Sequence, residues 1–399
     1  MNLQFLKNAI ILGLLVAVGP FAIDMYLPAM PTIAEDLGTT TAATQMTLMV
    51  FFVSFGLFQL VYGPWSDTAG RKRPLYVGLI LFTLGSIGCA FAPSIEWLIA
   101  FRFIQGVGAA AGMVIARAIV RDLHTGVEAT RLMSLVMLVF SVSPILAPLS
   151  GSALIEAFDW RSVFVAVTVA GLLGLALVSF LLPETRPAER RTGGGIRASV
   201  ASAWLLLRDA RFMGITFIGG LGMASFFAFL GSSSFVYIDH FGLTPTQYSI
   251  AFAVNAIAFI AASQFSARLA GRFGITRVIA TAVMFYAAAA VALFIVTAAG
   301  VDSLAVLMAL LFLAFGGLGL VIPSTMVLAL EENGPIAGMA AALGGTLQFA
   351  LGAVTIVVVS VFFDGTSLPM VAAIAACSVA AVLISRATLS RRPVAAPAE

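Results

Sequence analysis

Few residues in this chain have the chemistry to do more than pack, and the most conspicuous of them sits where a charge is least expected. Asp24 lies within FAIDMYLPAMP (residues 21–31), a stretch that otherwise reads as lipid-facing helix. Burial disfavours an ionised carboxylate and a nearby cation favours it, so an acid under both influences can take and release a proton as its access to water changes. Arg102 is the candidate cation, set inside the apolar run FRFIQGVGAAAG (101–112). At helical spacing Gln105, Ala109, Met113 and Arg117 share its stripe, giving a polar track through that run. Pro20 and Pro28 stand four residues to either side of Asp24 and withhold two amides, which leaves carbonyls free to line a cavity. Asp24 is therefore read as a proton acceptor and as a contact for substrate. Tyr26, Gln45, Gln105, Tyr237, Asn255 and Gln348 are the polar candidates for the rest of a binding chamber, with adaptable walls from abundant Phe and Met.

Other chemistries lack their residues. No HExxH or GxSxG pattern is present, and nothing gathers a nucleophile with a base. Gly106, Gly108 and Gly112 superficially suggest a nucleotide loop, but no strand precedes them, and inside an apolar helix they allow close packing. His124 and His240 fall in loops on opposite sides, which rules out a histidine metal pair, and Cys89 and Cys377 sit in apolar spans as small packing residues. No cofactor is expected.

The elements that must hold these residues are membrane helices. Of the 399 residues 61% are hydrophobic and 10% charged, and the mean hydropathy is +1.08. Apolar runs recur near 8–30, 43–64, 74–92, 97–119, 130–155 and 161–182, and again near 211–237, 246–268, 275–299, 303–330, 337–363 and 366–386. Each is long enough to cross about 30 Å of hydrocarbon as a helix and too uniformly apolar for a barrel strand. The first run exceeds signal-peptide length, carries Asp24 and ends in prolines, so it is expected to be retained. The expected fold is an all-α polytopic membrane protein of twelve spans. Eighteen of the 21 Lys and Arg fall on one side of that arrangement and only Arg161 lies in an opposite loop, so both termini are expected to be cytoplasmic. The net charge of +3 reports topology, not nucleic-acid binding.

ETRPAERRTGGGIRAS (184–199) is polar, Gly-rich and Arg-rich, and is expected to be a flexible cytoplasmic linker. It divides the chain into an N-terminal six-helix half (1–185), the linker (186–208) and a C-terminal six-helix half (209–399). Leu37-Gly38 pairs with Phe241-Gly242 and Gly70 with Gly274, each 204 residues apart, as parallel repeats require. The residue 204 positions after Asp24 is Ala228, so the acid is used once.

DMYLPAMP (24–31), GPWSDTAGRKRP (63–74), FRFIQGVGAAAG, ARAIVRD (116–122), SPILAPLSG (143–151), LPETRP (182–187) and SSSFVYIDHFGLTPTQY (232–248) together resemble a major facilitator superfamily transporter. Within that superfamily the chain resembles the drug:proton antiporters of the bicyclomycin and chloramphenicol resistance type. The resemblance implies a cytoplasmic latch at Gly63, Asp67, Gly70 and Arg71, with Arg121 and Arg272 as partners or repeat counterparts. Thr68 stands where the family usually has arginine and Gly271 replaces the second acid, which implies a weaker latch. It assigns Arg102 and Gln105 to a motif that influences proton coupling. It also implies that Pro144, Pro148 and Gly151 form a bent gating helix, although Ala147 and Ser152 replace commoner glycines.

The function expected is proton-coupled export of lipophilic, neutral or weakly charged drug-like compounds by alternating access, in the bacterial inner membrane and as a monomer. The alternative is a proton-coupled carrier of a metabolite such as an amino acid or polyamine. An intramembrane enzyme or sensor fits less well, because the paired halves leave short loops and no soluble domain.

Overall fold

The computed structural model describes residues 3–191 and 196–389. The Gly193–Gly195 run of the linker and the basic pair Arg391 and Arg392 lie outside the described residues. The first span is α1 (Leu3–Asp24), a 3-10 turn (Leu27–Ala29) and α2 (Met30–Asp36). It breaks after Asp24 because Pro28 has no amide to give the Asp24 carbonyl, and Tyr26 N bonds Ile23 O at 3.2 Å instead. Then follow α3 (Thr41–Ala69), α4 (Lys72–Ala90), α5 (Ile95–Leu123), α6 (Gly126–Ala157) and α7 (Arg161–Phe180). After the linker helix α8 (Ile196–Arg208) come α9 (Ala210–Ser234), continued as a π-helical turn to His240, and α10 (Pro245–Phe273). The chain ends with α11 (Ile275–Ala298), α12 (Leu304–Glu331), α13 (Ala337–Phe362) and α14 (Leu368–Leu389).

Twelve helical spans among the described residues are long and apolar enough to cross a membrane. Most helices outrun the apolar segments read from sequence: α3 ends at Ala69, α5 at Leu123 and α10 at Phe273. Charged ends do not stop a helix that leaves the hydrocarbon, because water satisfies the last carbonyls. Large apolar side chains such as Leu173, Ile295 and Val361 point outwards, as a lipid solvent permits.

Some local details recur at a spacing of 204 residues. Thr40 and Thr244, 204 residues apart, each cap the second span of a half, accepting from Ala43 N and Gln247 N. Gly70 and Gly274 turn the next loop with φ of +88° and +84°, a conformation that favours glycine.

One expectation is corrected. The linker is not a free tether through its described length: Ile196–Arg208 is helical, with Leu206 buried against the second half, and Arg186 is tied into the first half. Leu and Ala at helical spacing with an apolar stripe outweigh the flexible composition before them. The end of the bundle where α1 begins and α14 finishes carries Arg71–Arg73, Arg211, Arg272 and Arg386 and is called the basic end below.

Candidate functional site

A cavity of about 300 Å³ lies between the halves, lined by α1, α3, α5 and α6 on one side and α9, α10, α12 and α13 on the other. The helices α4, α7, α11 and α14 contribute nothing to it. It runs from Pro20, Ile23 and Asp24 to Arg117, Leu330 and Ala340, which lie near the helix ends on the basic side. Its walls are aromatic: Phe52 stacks on Phe227 with ring centroids 4.1 Å apart, and Phe349 packs on Phe55 at 4.9 Å. Beyond Asp24 the far end is closed by hydrogen bonds between the halves. Gln45 Nε2 donates to Gly231 O at 2.9 Å, Ser249 Oγ to Pro148 O at 2.9 Å, and Thr246 Oγ1 to Glu156 Oε1 at 2.8 Å. These bonds shut the cavity off at the far end, and its lining reaches towards the basic end.

Asp24 sits at the closed apex, 5% exposed, with no hydrogen bond or ion pair among the described residues. Arg102 does not salt-bridge it. The guanidinium is fully buried, with Nη1 donating to Ala22 O at 3.1 Å and to Gln105 Oε1 at 2.6 Å. It lies between the rings of Tyr26 (4.6 Å) and Phe51 (4.5 Å), a cation–π arrangement that partly replaces water. Ala22 and Tyr26 are one turn apart on the helix face opposite Asp24, so α1 stands between the cation and the acid. Gln105 is held in turn by Ser86 Oγ at 2.8 Å. Nε and Nη2 of Arg102 have no partner among the described residues, leaving capacity for a rearranged α1.

The three candidates on α6 divide the work of contact. Pro144 lines the cavity, Pro148 offers its carbonyl to Ser249 across the seal, and Gly151 lies against the broken part of the first span. A Cβ on Gly151 would meet the Met25 backbone, Cα and C both at 3.0 Å, so only glycine lets α6 come this close.

At the basic end Arg71 is 3% exposed and gathers an ionic cluster. Its Nη1 reaches Asp67 at 2.8 Å and Ser66 Oγ at 2.8 Å, and Nε and Nη2 grip Asp122 at 2.7 and 3.1 Å. Arg186 adds contacts to Asp67 at 3.4 Å and Asp122 at 3.8 Å. Glu184 accepts the amides of Arg71 and Lys72 at 2.9 and 3.1 Å. Burial raises the Glu184 pKa and these backbone donors, with Arg186 N and the Arg191 charge, lower it further, so the net shift is downwards. The second half has its own pair, Arg211 with Glu332 at 2.7 Å. The ion pairs of each cluster join residues of one half.

The sequence profile described as Major Facilitator Superfamily matches residues 12–357. The chain belongs to the Major Facilitator Superfamily. It is 37% identical over 367 residues to an uncharacterized MFS-type transporter, YdgK, of Bacillus subtilis (strain 168), covering 92% of this chain and 91% of that protein. A bicyclomycin resistance protein homolog of Haemophilus influenzae is 32% identical over 375 residues, 93% of each chain. Among solved structures, a D-xylose-proton symporter superposes with a TM-score of 0.72 at 15% identity, covering 96% of each chain, which is a likeness of fold. This superfamily member is thus a multi-pass membrane transporter and not an enzyme.

The transporter's cavity takes in Asp24, Pro144 and Gln348 from the residues predicted. It does not take in Tyr26, Gln45, Gln105, Tyr237 or Asn255. Tyr26 bonds Thr47 at 2.7 Å and faces Arg102, Gln45 belongs to the far-end seal, and Tyr237 and Asn255 are buried outside the cavity. A Cβ on Gly63 would meet Val114 only at ordinary contact distance, 3.9 Å. Arg121 and Arg272 are exposed and outside the ionic cluster, Arg272 stacking on its neighbour Phe273 at 5.2 Å. Sequence reasoning missed Gln59, Thr216, Thr325 and the facing phenylalanines in the cavity, and Ser66, Asp122, Glu184 and Arg186 in the cluster. Gln59 had a signal, being four turns along the same helix from Gln45. The phenylalanines had none, because thirty-two of them serve lipid, core and cavity alike.

Proposed function

We propose that the protein is a proton-coupled exporter of lipophilic, neutral or weakly charged drug-like compounds, working as a monomer in the bacterial inner membrane. The observation that carries this reading is Asp24, a solitary unpaired carboxylate at the apex of an aromatic cavity that is sealed beyond it and open below. Similarity to a bicyclomycin resistance protein homolog supports drugs as the substrate. The excess of Lys and Arg at the basic end supports a cytoplasmic location for that end and for both termini. The structure then corresponds to an inward-facing carrier. The two halves, 1–185 and 209–399, rock about the cavity while the linker spans them.

A proton arriving from outside neutralises Asp24 and weakens its hold on substrate, which leaves. The empty site turns inward, the proton dissociates into the cytoplasm, and a new substrate enters between the phenylalanines. Proton and substrate compete for one site or for one conformation, and that linkage is the coupling. Arg102 stands behind α1, held by Gln105 and the Ala22 carbonyl, and does not pair with the acid. The Arg71 cluster keeps α3, α4 and α5 together as one moving body.

The test is chloramphenicol and bicyclomycin flux in liposomes under an imposed pH gradient, native chain against Asp24→Asn. The expected result is accumulation that follows the gradient and is abolished by the substitution. Flux indifferent to both would refute proton antiport, and absence of flux for either compound would favour a metabolite carrier.

A further inference from the structure

One cavity group has no place in that cycle. Arg117 lines the basic end of the cavity and makes no hydrogen bond or ion pair among the described residues. The acid nearest in sequence, Asp122, is already engaged by Arg71 at 2.7 Å and Thr185 Oγ1 at 3.1 Å. The neighbouring charge is Arg121, a second cation that repels it. Asp24 is out of reach. A Cβ on Gly19 of α1 would touch Ala109 of α5 at 3.6 Å, and Gly112 packs on Leu15, so the two helices run antiparallel in this register. Arg117 and Asp24 are therefore separated by about 20 Å along the bundle, at 1.5 Å per residue.

The cavity wall also holds an idle donor. Gln59 is 4% exposed and lines the same cavity, and its Nε2 has no acceptor among the described residues. An arginine stays charged at any physiological pH, and the buried Gln59 amide without an acceptor is left short of a bond. The cavity thus has two poles: an acid at its apex and, towards its mouth, a fixed positive charge with no acid paired to it among the described residues, with an amide short of a bond on the path between.

We infer that Arg117, with Gln59 beside the same path, selects substrates by charge at the mouth of the cavity. It takes compounds whose apolar body ends in an anionic group or an oxygen acceptor such as a nitro or carbonyl group, and it discriminates against lipophilic cations. This rests on reading the cavity as the transport site and narrows the substrate class assigned to it.

Tetraphenylborate and tetraphenylphosphonium have one shape and opposite charge, so their binding isolates the electrostatic effect. Equilibrium dialysis against the purified full-length protein, with empty micelles subtracted, is expected to show the borate bound at least about tenfold more tightly. Arg117→Met is expected to remove that preference and Arg117→Lys to retain most of it. Equal or reversed preference in the native chain, or no measurable borate binding, overturns the inference. So does an Arg117→Met variant that changes both affinities by one factor, which is the mark of a structural role. If Arg117→Met fails to fold, the native preference and the Arg117→Lys variant still decide. Proton coupling is read separately, under a gradient and through Asp24, so either idea can fail without the other.

Discussion

The far-end seal sets the balance between the two conformations, and its removal has a calculable effect. Gln45→Met and Ser249→Ala together delete two buried hydrogen bonds of 2.9 Å, and a longer one from the same Gln45 amide to Ser232 Oγ at 3.3 Å that adds little, all of which exist only while α3 meets α9 and α6 meets α10. The acceptors of the two shorter bonds, Gly231 O and Pro148 O, lie within helices and are not orphaned by the loss. Each of these two is therefore worth its net value of about 1 kcal/mol and not a full desolvation cost. The bond from Thr246 to Glu156 is exposed and adds little. About 2 kcal/mol taken from the inward-facing state shifts the equilibrium outward by roughly thirtyfold. Spin labels at Ala157 and Val301, both exposed at the far end, would follow this by pulsed distance measurement in a chain whose Cys89 and Cys377 are replaced by alanine. The double variant should gain a long-distance population that the native chain lacks. An unchanged distribution, or one shifted to shorter distances, would refute the idea that these bonds hold the far end shut.

Other perturbations follow from the same geometry. Arg71→Met leaves Asp67 and Asp122 with only the longer contacts of Arg186, and should cost about 1–3 kcal/mol, read as a fall in the midpoint of thermal unfolding in detergent. Glu184 has a folded pKa below its ordinary 4.5, so its stabilisation is complete above that pH and is lost as the pH falls through the folded value. Glu184→Gln should flatten the acid limb of a thermal-stability profile below about pH 4.5, and a limb of unchanged steepness would show that the carboxylate is not responsible. Gly151→Ala pushes a methyl into the Met25 backbone and should cost about 1–3 kcal/mol by overpacking, with gradient-driven uptake falling alongside stability. Native-like stability in that variant would mean that α6 is free to move away from the first span.

What the sequence determined by itself is what local composition decides. Long apolar runs have one solution in a lipid solvent, so the twelve spans were legible without any contact information. The glycines spaced 204 residues apart suggested a repeat because positive φ is a local demand on the backbone, whereas the matching Thr40 and Thr244 caps emerged only from the structure. A carboxylate amid apolar residues marked Asp24, since burying a charge is costly wherever the rest of the chain lies. The tertiary structure alone decided which polar residues share a cavity. Gln45 and Asn255 carry the same amide group as Gln59 and Gln348, and Tyr26 and Tyr237 can hydrogen-bond too, yet only the packing of eight helices sends Gln59 and Gln348 into the chamber and the other four elsewhere. It likewise decided that Arg102 sits behind α1 and not against Asp24, and that Asp122 and Glu184, far apart in the chain, complete the Arg71 cluster. Helix period fixes the stripe a residue occupies, but the partner facing that stripe is set by how the helices rotate and cross, which depends on the close fit of all their side chains at once.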